Sequence, residues 1–203
     1  MMYQYEKKYY RKGIEYIAGV DEVGRGPLAG PVVAAAVVLN KHFIIKGLDD
    51  SKKLSEKQRK RLFKKITTHA LEIGYSFIWP KEIDRINILE SSKKAMRNSI
   101  ESLTKCEFIL IDAVKLGYDN SESIIKGDAK SASIAAASII AKVLRDNYMV
   151  ELAKKYPNYD FEHNKGYGTK KHLQALEDFG SIQGIHRKSF SPVANLNQIK
   201  FDF

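Results

Sequence analysis

The chain has 203 residues, 44% of them hydrophobic, enough for one principal domain whose core needs no disulfide or metal to hold it. Its single cysteine, Cys106, excludes an internal disulfide and fits a reducing compartment, and the longest nearly apolar run, "AGPVVAAAVVL" from Ala29 to Leu39, is too short to cross a bilayer. With 34 Lys and Arg against 24 Asp and Glu, the formal charge of +10 favours a polyanionic partner, most simply nucleic acid.

The N-terminal "MMYQYEKKYYRKG" lacks an apolar signal core, so the expected location is the cytoplasm; residues 1–13 read as a basic segment of open role. "IEYIAGV" (Ile14 to Val20) and "PVVAAAVVLN" (Pro31 to Asn40) are rich in β-branched and small apolar residues and predict two neighbouring strands, which places Asp21 at a strand end. "SEKQ" from Ser55 is a capping box opening a basic helix to about Ala70, and "LEIGYSFIW" (Leu71 to Trp79) predicts a third strand. "NILE" from Asn87 predicts a helix to about Leu103, followed by the strand "CEFILIDA" (Cys106 to Ala113) and a short strand at "SIIKG". Ser131 to Tyr156 has the length and Ala, Leu and Ile content of a long helix, with small residues that allow close approach to a sheet. Thr169 to Phe179, ended by Gly180, predicts a further helix. The order of elements predicts an α/β domain with a mixed sheet, helices on its faces and a helical C-terminal extension.

"GVDEVGRGPLAGP" (Gly19 to Pro31) starts with the spacing of a phosphate-cradling loop, but Arg25 and Gly26 stand where such a loop needs Lys and Ser or Thr. Asp21 and Glu22 would repel a phosphate there unless divalent cations lay between. Asp112 at the end of "FILID" and Asp128 after "SIIKG" are further acids at predicted strand ends, and like charges gathered at one sheet edge call for a cation. Adjacent strand residues point to opposite faces, so Asp21 and Glu22 reach one cluster only if a bulge or strand end lies at Asp21 to Val23.

Together with "DSKKL", "LIDA", "KGD", "SIAAASIIAKVLRD", "NKGYGTKKH" and "HRKSFSPV", the Gly19 segment resembles the type 2 ribonuclease H family in its bacterial HII branch, from about Ile14 to Val193 and in family order. The resemblance implies an RNase H-like fold with a mixed five-stranded sheet. The catalytic domain would cover 14–203, with a helical extension over about 157–203. It also implies Mg²⁺- or Mn²⁺-dependent endonucleolytic cleavage of the RNA strand of RNA–DNA hybrids, and cutting at ribonucleotides embedded in duplex DNA. Products would carry 5′-phosphate and 3′-hydroxyl ends, in a cytoplasmic, monomeric enzyme with no membrane partner and a role in ribonucleotide excision repair. Carried over residue by residue, the family's four catalytic and metal-holding acids fall on Asp21, Glu22, Asp112 and Asp128. Its glycine-arginine-glycine loop falls on Gly24, Arg25 and Gly26, and its substrate-reading tyrosine on Tyr167.

Lys52 and, one helical turn apart, Lys142 and Arg145 are the remaining candidates for contact with substrate phosphates. Asp146 reads as an ion-pair partner, and His172 and His186 as scaffold groups. Two competing functions remain: a non-catalytic nucleic-acid-binding module, against which four acids facing a phosphate argue, and a nucleotide hydrolase, which would need the missing Lys and Ser or Thr.

Overall fold

In the computed structural model, which describes residues 2–196, strand β1 (Ile17–Val23) lies at the centre of a five-stranded sheet in the order β3-β2-β1-β4-β5. β2 (Val32–Leu39) and β3 (Ala70–Ile78) form an antiparallel meander with it, while β4 (Phe108–Asp112) and β5 (Ser121–Ile124) run parallel on its other side. The sheet is mixed, as its element order predicts.

Alternation along the strands divides the core into two layers. Val33, Ala35 and Val37 pack on the Ala-rich helix α4 (Ala132–Lys155) and on α2 (Glu56–His69). Val32, Ala34 and Ala36, with Val20, pack on α3 (Pro80–Glu101). The run of alanines in α4 lets its backbone come down onto the sheet. Gly19 is where it touches: a Cβ there would collide with the Ser133 and Ile134 backbone, so only glycine fits.

Local chemistry explains most helix starts. Ser55 opens α2 with a complete capping box to Gln58, and Ser131 and Thr169 accept from Ile134 and His172 at the starts of α4 and of α6 (Lys170–Phe179). Asn87 also caps: its Oδ1 accepts from the Leu89 and Glu90 amides at 2.9 and 3.1 Å. A first helical segment beginning at Pro80 nevertheless precedes it, and the two meet at Asn87 with a positive φ of 67°.

Two sequence expectations need correction. β1 begins and ends three residues later than "IEYIAGV", so Asp21 and Glu22 lie inside it. β5 covers Ser121–Ile124 and not "SIIKG", because Lys126 turns left-handed and Gly127 opens a 3₁₀ turn (Gly127–Ala129). The segment of open role forms a helix, α1 (Gln4–Tyr10), with Glu6 and Tyr9 buried. Glu6 Oε1 accepts from Ser131 Oγ, Ser133 N and Ser133 Oγ at 2.6 to 2.9 Å, which ties α1 to the first turn of α4. Beyond α4, the short helix α5 (Phe161–Asn164), α6 and α7 (Val193–Leu196) gather around Tyr159, Phe161 and Leu176.

Candidate active site

The pairing of β1 with β4 stops at Val20 and Ile111, and the next residue on each strand is an acid, Asp21 and Asp112. Both take the parity of residues facing α4: Gly19 meets Ser133, and Leu110 packs on Ile134. Glu22 takes the opposite parity. The β1 ladder to β2 continues in register to Val23, where the strand ends, so of the bulge or strand end expected at Asp21 to Val23 the structure has the second. Glu22 nevertheless lies within charge range of Asp21 and Asp112, just past the last β1–β4 pair.

Asp21 is 6% exposed, and burial pushes its carboxyl well above the usual range; Glu22 and then Asp112 push it further, against hydrogen bonds from Ser138 and the Glu22 amide. Burial also raises Glu22. Arg25 opposes that shift across an ion pair of 3.4 Å, and Asp112 adds to it. The Asp112 Oδ1 accepts from the Gly127 amide at 2.6 Å, which hangs the turn carrying Asp128 on the end of β4. Asp128 is 8% exposed and is raised by burial, then by Asp50 and Asp112, while Lys52 acts the other way. Asp112 thus acts on Asp21, Glu22 and Asp128 alike at one sheet edge, and Lys52 sits in the field of Asp128.

As placed, no three His, Cys, Asp or Glu side chains among the described residues converge closely enough to hold one metal ion. The donor chemistry still fits a hard divalent cation. The charges that raise Asp21 are all carboxylates with no Lys or Arg to offset them, and the donors are oxygens with no thiol or imidazole among them. Carboxylate rotamers move more cheaply than buried like charges coexist, so a cation would draw these side chains together.

The segment after β1 meets the loop bearing Tyr167. Leu28 and Ala29 amides donate to the Gly166 carbonyl at 2.8 and 3.3 Å, and a Cβ on Gly26 would sit 3.5 Å from the Tyr167 ring. The exposed Arg25 and Gly26 and the half-exposed Tyr167 therefore share one rim beside the acids. Gly24 has a φ of 94° and no room for a side chain against Arg145.

Arg145 corrects a sequence expectation. It is fully buried and gives its donors to the Pro31, Lys165 and Ala29 carbonyls at 3.0, 3.0 and 3.2 Å, so it braces the loop and does not reach a substrate phosphate. Lys142 is paired with Asp146 at 2.7 Å on the neighbouring turn of α4, as the ion-pair reading of Asp146 expects.

Sequence reasoning missed four residues here. Arg187, also fully buried, donates to the Gly24, Arg25 and Gly30 carbonyls at 2.6 to 3.1 Å; burial and then Arg145 lower its pKa, and no carboxylate among the described residues bonds it. Ser138 links Asp21 to Ser51 through hydroxyls 2.9 Å apart, and Asp50 stands beside Asp128. Only Asp50, an acid inside the quoted "DSKKL" region, carried a signal in the sequence; the others have partners remote along the chain.

Known proteins share this sequence and fold. The family model for ribonuclease HII matches residues 18–193. A ribonuclease HII from Geobacillus sp. (strain WCH70) is 54% identical over 201 residues, 98% of this chain and 72% of that protein; one from Bacillus mycoides (strain KBAB4) is 55% identical over 199 residues, 97% and 77%. The crystal structure of ribonuclease H2 from Pyrococcus horikoshii OT3 superposes with a TM-score of 0.77 at 28% identity, covering 92% of this chain and 100% of that one. A match this long, carried by a fold of the same topology, means that the chain belongs to the ribonuclease HII family and is a ribonuclease H enzyme.

Proposed function

We propose that this enzyme hydrolyses the RNA strand of RNA–DNA hybrids and also cuts at single ribonucleotides embedded in duplex DNA, leaving 5′-phosphate and 3′-hydroxyl ends. The observation that supports it best is the juxtaposition of Asp112 and the three acids its charge acts on, Asp21, Glu22 and Asp128, with the Gly24 to Gly26 segment and Tyr167 on one rim. Asp21, Glu22, Asp112 and Asp128 would hold Mg²⁺ or Mn²⁺. In a two-ion site such cations supply activation of a water and stabilisation of the leaving 3′-oxygen.

The chain's own residues do the rest. Gly24 and Gly26, without side chains, let the backbone approach the ribose, where a 2′-hydroxyl separates RNA from DNA. Arg25, held near Glu22, and exposed Lys52 contact phosphates. Lys142 serves this role only if a phosphate displaces Asp146. Tyr167 stacks its ring on the sugar beside the cleavage point. Residues 14–203 act as one catalytic unit with the extension over about 157–203, as a cytoplasmic monomer; among the described residues no helix is long and apolar enough to cross a membrane.

The test is incubation of the protein with a DNA duplex carrying one ribonucleotide and with a continuous hybrid, each with Mg²⁺ and with chelator. Metal-dependent cuts with the stated ends on both substrates are expected. Binding without cleavage would favour the non-catalytic reading.

A further inference from the structure

Two histidines away from the acids are buried together. His172 on α6 is 0% exposed and His186, in the segment that follows, 1%; their Nε2 atoms lie 3.0 Å apart. The rings of Tyr159 and Phe161 surround them. The Tyr159 hydroxyl is committed to the Gly180 carbonyl at 2.8 Å, and Arg187, next in sequence, to the loop carbonyls. The charged groups on the nearest open side are Lys81, Asp84 and Lys188, which line a surface cleft with His186.

Each outer ring nitrogen has a backbone partner of fixed polarity. The Ile182 amide donates to His186 Nδ1 at 2.8 Å, so that nitrogen is bare and the proton of His186 sits on Nε2. The Tyr167 carbonyl, 2.9 Å from His172 Nδ1, can only accept, so His172 carries its proton on Nδ1 and presents a bare Nε2. These two requirements agree where the rings meet: His186 donates and His172 accepts. A chain with one possible direction results, and it ends on the backbone of the residue that faces Gly26.

We infer that His186 and His172 are positioning residues, forming a one-way hydrogen-bond chain from the Ile182 amide to the Tyr167 carbonyl that sets the Tyr167 loop against the Gly24 to Gly26 segment. The inference rests on the reading of Tyr167 given above. At Tyr167 itself the other ties are local: Tyr167 N to the Asn164 carbonyl at 2.9 Å and Thr169 N to the Tyr167 carbonyl at 2.8 Å. The preceding residues are held from afar, Gly166 by the Leu28 and Ala29 amides and Lys165 by Arg145. Among the described residues the histidine chain alone relates the tyrosine carbonyl to the segment 182–187, which also holds Gly30 through the Ile185 carbonyl and Leu28 through the Arg187 amide. Adding a proton to either ring sets N–H against N–H at the centre or at Ile182 and breaks the chain.

Two measurements on the full chain test this. Long-range proton–nitrogen NMR of imidazoles at pH 7 is expected to show one buried ring protonated on Nδ1, lost in His172 variants, and one on Nε2, lost in His186 variants; two Nε2-protonated rings would overturn the chain. The second measurement compares His172→Asn, which keeps an N–H near the Nδ1 position, with His172→Gln, which keeps a polar group only near Nε2. His172→Asn, which keeps the bond to the Tyr167 carbonyl but no longer reaches His186, should retain part of the ratio of cleavage at an RNA–DNA junction to cleavage of continuous hybrid, and His172→Gln should lose it. Equal loss in both would reduce the pair to packing and overturn the positioning role. If Tyr167→Ala leaves that ratio unchanged, the Tyr167 reading fails, while the NMR result still decides the chain.

Discussion

Asp21 is a buried carboxyl whose raising charges are other carboxyls, an arrangement that costs stability until a cation arrives. Asp21→Asn and Asp112→Asn should therefore abolish cleavage while leaving the metal-free fold at least as stable as wild type. For Asp21→Asn the gain is read from denaturant midpoints without metal. Near-wild-type cleavage by either variant in Mg²⁺ would remove the acids from the metal site. At Tyr167 the claim concerns selectivity. Tyr167→Ala should lose a stacking contact of roughly 1–3 kcal/mol, with a larger effect at an RNA–DNA junction than on continuous hybrid and with metal affinity unchanged. Tyr167→Phe should keep most activity; if it falls as far as Ala, the hydroxyl and not the ring carries the role.

Among the elements, the helix that the sequence left unassigned makes the clearest stability prediction. Glu6→Ala strands the Ser131 and Ser133 hydroxyls and the Ser133 amide in a buried place, at a cost of about 1–3 kcal/mol in unfolding free energy, and frees α1 from α4. Circular dichroism during denaturant titration measures both. The histidine pair makes a pH prediction of definite sign. Burial lowers His172, and burial with His172 as neighbour lowers His186 to about 4. The unfolded chain thus takes up protons that the folded one refuses. Stability is fully present above the unfolded value of about 6.5 and is lost as pH falls from there towards 4, by roughly 3 kcal/mol for His186 at most. His186→Phe should flatten that part of the profile. Ser55, Ser131 and Thr169 were legible in the sequence because a cap is a local bargain between a side chain and the next turn. The acids were legible because apolar runs end in a charge at Asp112 and Asp21, although Asp21 lies inside β1. Helix α1 was not, since its reason is tertiary: Glu6 meets serines 125 and 127 residues away. Arg145 was misplaced because helical spacing gives a residue's face and not its depth. Arg187 and the histidine chain were hidden because their partners are backbone groups, which every residue has.

For the whole molecule, the charge of +10 locates nothing by itself, but the fold gives it a side. Helix α2 carries Lys57, Arg59, Lys60, Arg61, Lys64 and Lys65 and packs on α4, the helix that follows the Asp128 turn, while Arg25 and Lys52 lie beside the acids. Duplex affinity should fall linearly in log–log terms with salt, by about 0.9 per phosphate neutralised. Lys52→Ala should reduce that slope by about 1 and weaken binding evenly across sequences, a change that fluorescence anisotropy can follow. The acids exert the opposite pull on a polyanion, and a bound cation is what reconciles a basic face with an acidic centre. Titrating Mn²⁺ into the protein and following paramagnetic relaxation of water tests that reconciliation most directly. Binding in the wild type that tightens with a duplex carrying one ribonucleotide, and is lost in Asp21→Asn and Asp112→Asn, is the expected result. Mn²⁺ affinity unchanged in both variants would contradict the assignment of these acids as the metal site.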